Sequence, residues 1–321
     1  MENMSSVNNK NLDISIIIVN YNSGMLLYNC IESIVKYTEN VSYEIIVVDN
    51  NSTDNSINKV LNKYEKVLIL LRNEENKGFA TANNQAFKKA KGEYILFLNN
   101  DTIFIENSVK KCLEFIEKRN ENIILGCKLL NKDYSLQPSV FDFLTLWNTF
   151  TSNFFLYILF PRSKYFNKYH LMNKKIDYTT EVDIVSGAFL LAKTTSILAL
   201  NGFDERFYFY AEEMDLCYRH KQFGGKVIYY PETSIIHLKG ETTKKNLWFL
   251  HKNRMRATIQ IFQKHFKGIK FPLALVFHYI GMLIRIPILF LVGLFTFNFK
   301  YIKESYFFSK LFLYYPKNKF K

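Results

Sequence analysis

The chain has no closely spaced cysteines. Its four, Cys30, Cys112, Cys127 and Cys217, form no CxxC pair; this speaks against zinc ribbons and dithiol redox motifs and suits a reducing compartment. No GxGxxG follows the first apolar run, so a nicotinamide or flavin dinucleotide is not expected. The N-terminus, MENMSSVNNKNLD, lacks an apolar signal core; residues 1–12 are expected to be disordered and the protein to stay on the cytosolic side. Acidic residues nearly vanish from the last quarter. Residues 1–240 balance Lys+Arg against Asp+Glu, whereas 241–321 hold 15 Lys+Arg and only Glu241 and Glu304, so the whole net charge of +13 falls there.

That basic quarter contains 271–299 (FPLALVFHYIGMLIRIPILFLVGLFTFNF), whose ionisable groups are Arg285 and His278 alone. Nucleic-acid-binding stripes interleave charge every few residues, so a membrane surface, not nucleic acid, is the expected partner. Arg285 leaves two charge-free halves, 271–284 and 286–299, each shorter than the ~20 residues a span needs. Pro272 and Pro287 are expected to interrupt helical continuity. Two helices lying in the cytoplasmic leaflet are therefore expected, with a single tilted span as the alternative. Lys264, Lys267, Lys270, Lys300 and Lys303 would meet anionic headgroups. Upstream, HKNRMR (251–256) sets Arg254 and Arg256 where a lipid diphosphate acceptor would pass, although a solvated basic helix face explains them equally well.

The first half alternates short apolar runs with helical patterns. ISIIIV (14–19), EIIVVDN (44–50), VLILLRN (67–73) and YILFLNND (94–101) read as buried strands separated by helices. This is the pattern of a mostly parallel, doubly wound α/β sheet. Ligands of such sheets sit beyond the carboxyl ends of the strands, and here each strand ends in a polar cluster: Asn20–Asn22, Asp49–Asn51, Arg72–Asn76 and Asn99–Asp101. Asp49 is placed to take a ribose hydroxyl or a base N–H. Residues 141–180 read as a variable connection over an acceptor site. VDIVSGAFLLAK (182–193) reads as a strand pair with a turn, and KVIYYP and TSIIHLKG complete the domain near residue 240.

Three segments carry chemistry. Asp101 closes an apolar strand as NND and offers a hard oxygen ligand for Mg2+ or Mn2+, though a turn or N-cap aspartate would look the same. Glu212, Glu213 and Asp215 crowd one helix start, where the helix dipole alone favours acids. The preceding FYFY could desolvate one of them into a base. His237 ends an apolar strand before Gly240 and Thr242; it becomes a ligand only if it faces the same crevice.

Taken in order, IIIVNYN, VVDNNSTDNS, ENKGFATANNQAFKKAKGEYILFLNNDT, VSGAFLLAK, GFDERFYFYAEEMDLCYR and PETSIIHLKG resemble family 2 glycosyltransferases. More narrowly, they resemble the rhamnosyltransferase-type members that build bacterial surface polysaccharides. The resemblance spans about residues 13–256. It implies a GT-A fold, with a nucleotide-binding half over about 13–101, an acceptor half over about 102–240, and 241–321 as a membrane-associated helical region. It implies inverting transfer from a nucleotide-sugar donor, with dTDP-L-rhamnose suggested, to a polyprenyl-diphosphate-linked glycan. On this resemblance Asn20, Tyr21 and Asp49 line the nucleoside site, and Asn76 and Gly78 form the N-x-G turn beside the donor. Asp101 is the last aspartate of a DxD-type metal motif, and His237 is a phosphate- or metal-side histidine. Gly187 and Ala188 lie near the transferred sugar, Asp204 near the acceptor, and Glu212 and Glu213 match the E-D pair that carries the base, with Asp215 following. Two departures stand out: Glu213 replaces the usual aspartate, and NND carries one acid. They leave room for a catalytically weak glycan- or nucleotide-binding pseudoenzyme. A nucleotidyltransferase would need basic residues in the loop NYNSG, which has none.

Overall fold

In the computed structural model, described for residues 12–163, 165–167, 176–238 and 247–314, the N-terminal half alternates as the apolar spacing predicts. β1 (Ile14–Asn20), α1 (Leu26–Tyr37), β2 (Tyr43–Asp49), α2 (Ser56–Tyr64), β3 (Leu68–Arg72), α3 (Phe79–Phe87) and β4 (Tyr94–Asn99) follow one another. β1 pairs in parallel with β2 and β4, and β2 with β3. All four strands therefore end at one edge, which brings their polar termini together. Ile14, Ile16, Ile17 and Ile18 are fully buried on the two faces of β1, each such side chain contributing about 1.5–3 kcal/mol. The remainder of the expected N-terminal tail, residues 1–11, and Gly240 and Thr242 lie outside the described residues.

Next come β5 (Thr102–Phe104), α4 (Ser108–Glu117), β6 (Ile123–Leu130), β7 (Leu136–Gln137), β8 (Val140–Phe141), α5 (Leu146–Asn153) and α6 (Leu156–Leu159). They are followed by β9 (Thr180–Glu181), β10 (Ile184–Val185), β11 (Phe189–Lys193), α7 (Thr194–Ala199), α8 (Glu212–Gln222) and β12 (Lys226–His237). The main sheet runs β3-β2-β1-β4-β11-β6-β12-β5. Two expectations change in detail. β10 and β11 do not pair with each other: β10 joins β8, and β11 slots antiparallel between β4 and β6. KVIYYP and TSIIH form one strand whose register shifts between Tyr230 and Ser234, so Pro231 falls in an irregularity where its missing N–H costs no ladder bond.

The tail departs further. After α9 (Leu247–His265), residues Lys270–Phe295 form one continuous helix, α10, and Phe299–Tyr314 form α11. α10 is not split at Arg285. Pro272 lies in its first turn, where a missing N–H is harmless. Pro287 is interior and costs about 3 kcal/mol, offset by packing on three neighbours. Met282 packs with Met255 and Ile259 of α9 and Leu311 of α11, Phe277 meets Phe150 of α5, and the Ser305 hydroxyl donates to the Ile286 carbonyl at 2.8 Å. Arg285 faces protein: it donates to Asn153 Oδ1 (3.1 Å) and the Ser152 carbonyl (3.0 Å), with its guanidinium 4.8 Å from the Phe155 ring centroid. α10 is long and apolar enough to cross a membrane by length and composition.

Candidate active site

The NND turn after β4 is the hub of the site, because each of its residues reaches a different part. The Asn99 backbone N–H donates to the Ala188 carbonyl at 3.2 Å, and its side chain lies 3.4 Å from His237 Nε2. Asn100 donates to Asn20 Oδ1 at 3.4 Å. Asp101 Oδ1 stands 3.2 Å from His237 Nε2, and the Leu238 N–H donates to the Asp101 carbonyl. Nucleoside-side, metal-side and sugar-side candidates thus meet at one turn.

On the nucleoside side, Asn20 is wholly buried and acts as a strut. Its amide donates to Asp49 Oδ1 (3.3 Å), Ser52 Oγ and Ser56 Oγ (both 3.0 Å), and its Oδ1 accepts from Ser23. This holds the Asp49 carboxylate at the strand end; Tyr21, which follows β1, is exposed. The Asn76–Gly78 turn is pinned by Asn50, which donates to Asn76 Oδ1 (3.0 Å) and the Gly78 carbonyl (3.2 Å) and accepts from Lys77 N–H. Gly78 has φ +83°, and a Cβ there would stand 2.5 Å from the Tyr208 carbonyl. Only glycine allows that closeness. Asn50 and Tyr208 were not singled out individually from sequence; the Asp49–Asn51 cluster holds the first and the FYFY run the second.

Asp101 and His237 are both buried. His237 Nδ1 is 2.6 Å from Gln137 Oε1, and the Gln137 amide nitrogen donates to Asn131 Oδ1 and the His237 carbonyl. With its nitrogen so committed, Gln137 presents its oxygen to His237 Nδ1, which leaves Nε2 on the side of Asp101. Nε2 and the Asp101 Oδ1 thus face each other at 3.2 Å, with the Asn99 amide 3.4 Å from Nε2. Among the described residues no group of three or more His, Cys, Asp or Glu converges. Asp101 and His237 could together hold a divalent ion, leaving positions for phosphate oxygens and water.

On the sugar side, Tyr210 (φ +74°) and Ala211 (φ +67°) turn the chain through left-handed geometry and deliver Glu212 and Glu213 at the start of α8. One oxygen of each carboxyl is buried without a hydrogen-bond partner. Burial pushes the Glu213 carboxyl above the usual glutamate range, and burial followed by the neighbouring Glu213 charge pushes Glu212 well above it. A Cβ on Gly187 would lie 3.6 Å from Glu213 Cβ, so Gly187 and Glu213 are adjacent, while the Ala188 side chain is buried in the core beneath.

Three candidates stand apart. Asp215 is wholly buried and ion-paired with Arg219 (2.7 Å), Lys264 (2.6 Å) and His265 (2.8 Å). Burial works to raise its pKa, but hydrogen bonds from His265 and Arg219 and the Arg219 charge hold it low. Asp204 pairs with Arg206 and Lys264, both at 2.6 Å; against the cost of burial these hold its carboxyl far below the usual range. Both aspartates tie α9 to the domain. Arg254 is exposed, 5.2 Å from the Tyr210 ring centroid. Arg256 is the inward one: its Nε is buried without a partner, between Phe249, which meets the Tyr208 ring, and Gln260, which donates to the Arg206 carbonyl.

Residues 15–183 match the family model described as glycosyl transferase family 2. A poly(ribitol-phosphate) beta-glucosyltransferase of Bacillus spizizenii is 38% identical over 119 residues, 36% of this chain and 19% of that protein. The Escherichia coli UDP-Glc:alpha-D-GlcNAc-diphosphoundecaprenol beta-1,3-glucosyltransferase WfgD is 36% identical over 113 residues, 35% of this chain and 44% of the other. Rhamnosyltransferase WbbL of Escherichia coli is 28% identical over 167 residues, 50% and 60% of the two chains. The chain thus spans less than two thirds of each of these relatives. In fold it is similar to a mannosyltransferase from Pyrobaculum calidifontis solved with GDP-Man and Mn2+, at TM-score 0.57 and 15% identity, covering 94% of this chain and 86% of that one. The match over more than half of its length makes this chain a member of glycosyl transferase family 2, an enzyme of GT-A fold.

Proposed function

We propose that the protein transfers a sugar from a nucleotide-sugar to a polyprenyl-diphosphate-linked glycan, with inversion, at the cytoplasmic surface of the membrane. The observation that carries this is the convergence on one NND turn of Asp101 and His237, the Asn20–Asp49 strand ends, and the Gly187–Ala188 turn against which the desolvated Glu213 lies. Asp49 and Tyr21 would take the nucleoside. Asp101 and His237 would hold Mg2+ or Mn2+. When bound, the ion would supply charge neutralisation at the departing diphosphate. Glu213 would take the proton of the acceptor hydroxyl as its oxygen attacks the anomeric carbon from the face opposite the leaving group. Arg256 would offer a guanidinium to a phosphate. Two relatives, the WfgD glucosyltransferase with its diphosphoundecaprenol-linked substrate and the WbbL rhamnosyltransferase, support the acceptor and donor classes. On this reading the catalytic part is 13–240 and the membrane-associated part 241–321, with α9 of the latter tied to the former through Lys264 and His265.

The test is binding of dTDP-rhamnose, UDP-glucose, UDP-GlcNAc and GDP-mannose to the purified protein by calorimetry, with and without Mn2+. One donor should bind in a Mn2+-dependent manner, and Asp101→Asn should abolish the Mn2+ effect. Donor binding that ignores Mn2+ in both proteins would remove the metal assignment; no binding of any donor would remove the donor site.

A further inference from the structure

α10 is flanked on two sides by protein and bare on the third. At 3.6 residues per turn, Phe277, Gly281 and Arg285 share one side, and these meet α5: Phe277 against Phe150, Arg285 on Asn153, and Gly281 so close that a Cβ would reach Asn153 Oδ1. Tyr279, Ile286 and Gly293 share another side and meet α11 through Phe312, Ser305 and Ile302. The remaining side, Val276, Ile280, Leu283, Pro287 and Leu294, is exposed. Three helices therefore lie in a row, α5 with α6, then α10, then α11, while α9 backs the row through Met255 and Ile259.

Both outer helices share the exposed character. α5 and α6 expose Trp147, Ile158, Leu159 and Phe160. α11 exposes Lys303, Tyr306, Lys310 and Leu313, the aromatic and lysine mixture of an interfacial helix. Lys303 and Lys310 are about 10 Å apart along the axis. α11 could cross a ~30 Å hydrocarbon layer only by burying such charges, whereas Lys303 reaches headgroups if it lies in the plane and the Lys310 Nζ lies 4.3 Å from the Trp248 ring centroid. α10 is held along its middle to α5 and α9, so crossing the layer would drag catalytic-domain helices with it.

Resting on the proposed membrane location, we infer that α5–α6, α10 and α11 form a single face that lies flat on an anionic bilayer. Residues 146–160 of the acceptor half are a second, independent lipid contact. The lipid is favoured over a protein partner by charge: 241–321 carries 15 Lys+Arg against two acids. The catalytic domain is thereby fixed in orientation, because α5 belongs to the domain and not to the tail.

Trp147 and Trp248 are the only tryptophans, and they report separately. Trp147 is 50% exposed, while Trp248 packs against Phe307 and Tyr314 between α9 and α11. The full-length Trp248→Phe protein is mixed with phosphatidylglycerol-containing vesicles whose acyl chains are brominated near the headgroup. Trp147 emission should shift to shorter wavelength and be quenched; in Trp147→Phe, Trp248 should show neither. Leu159→Asp combined with Phe160→Asp should lower the vesicle partition coefficient by about tenfold or more. Vesicle binding with Trp147 unquenched and partitioning unchanged in the double variant would overturn the second contact while the membrane location stands. Failure of the wild type to bind the vesicles at all would overturn both.

Discussion

Glu213 stands one methylene longer than the aspartate its family usually places there, and its surroundings compensate by desolvation. A base works only when ionised, so a raised pKa moves the acidic limb of the kcat/KM profile upward from the ~4.3 of an ordinary glutamate. Burial, not the Glu212 charge, raises Glu213, so Glu212→Gln should leave that limb in place, measured as pH–rate profiles of the two proteins. The stability sign is the reverse of that for a paired carboxylate. A group whose folded pKa is raised favours the folded state below its unfolded pKa, and this stability is lost as pH rises through the folded pKa. Glu213→Gln should therefore melt at or above the wild-type temperature at pH 8, with the difference vanishing below about pH 4. At the metal side, Gln137→Leu removes the acceptor beside His237 Nδ1 and should weaken Mn2+ affinity about 10- to 100-fold, measured by titration calorimetry. Unchanged affinity would mean His237 is not a ligand. Asp101 and His237 were legible from their strand-end positions. Gln137 was not: it lies 100 residues before His237 in a two-residue strand.

The elements that hold the site were legible in uneven degree, for a physical reason. β1 to β4 are buried on both faces and read as continuous apolar runs. β11 joins a sheet whose neighbours lie far away in sequence, and periodicity does not encode such partners. The same holds for α8 and α9. Asp204 and Asp215 look like site acids while their cations, Lys264 and His265, sit in what reads as a membrane tail. Because Asp215 is wholly buried, Asp215→Ala leaves Lys264 and Arg219 without their shared anion and should destabilise by about 3–5 kcal/mol, read by urea denaturation. A loss of turnover with stability intact would instead place Asp215 in the acceptor site. On the opposite stretch of α9, Arg256→Ala should weaken nucleoside diphosphate binding or raise the acceptor KM by about 10- to 100-fold. Arg254→Ala should have the smaller effect on both.

For the molecule as a whole, charge and apolarity are segregated along the chain, and the fold turns that segregation into geometry. The neutral first three quarters build the sheet and the cleft. The basic quarter returns through α9 to brace α8, which begins with Glu212 and Glu213, and then lays α10 and α11 alongside α5. Arg285, which in sequence breaks an apolar run, is spent on a contact with Asn153 and Ser152, so one continuous helix forms where two were expected. The central claim is that this scaffold transfers a sugar with Glu213 as base. Its most direct test is turnover of the best-binding donor in Mn2+ with a lipid-diphosphate-linked sugar acceptor, wild type beside Glu213→Gln. The account predicts nucleoside diphosphate release and extended glycan in the wild type, with kcat about 10²–10⁴-fold lower in Glu213→Gln at equal donor affinity. Equal turnover by the two proteins would contradict it.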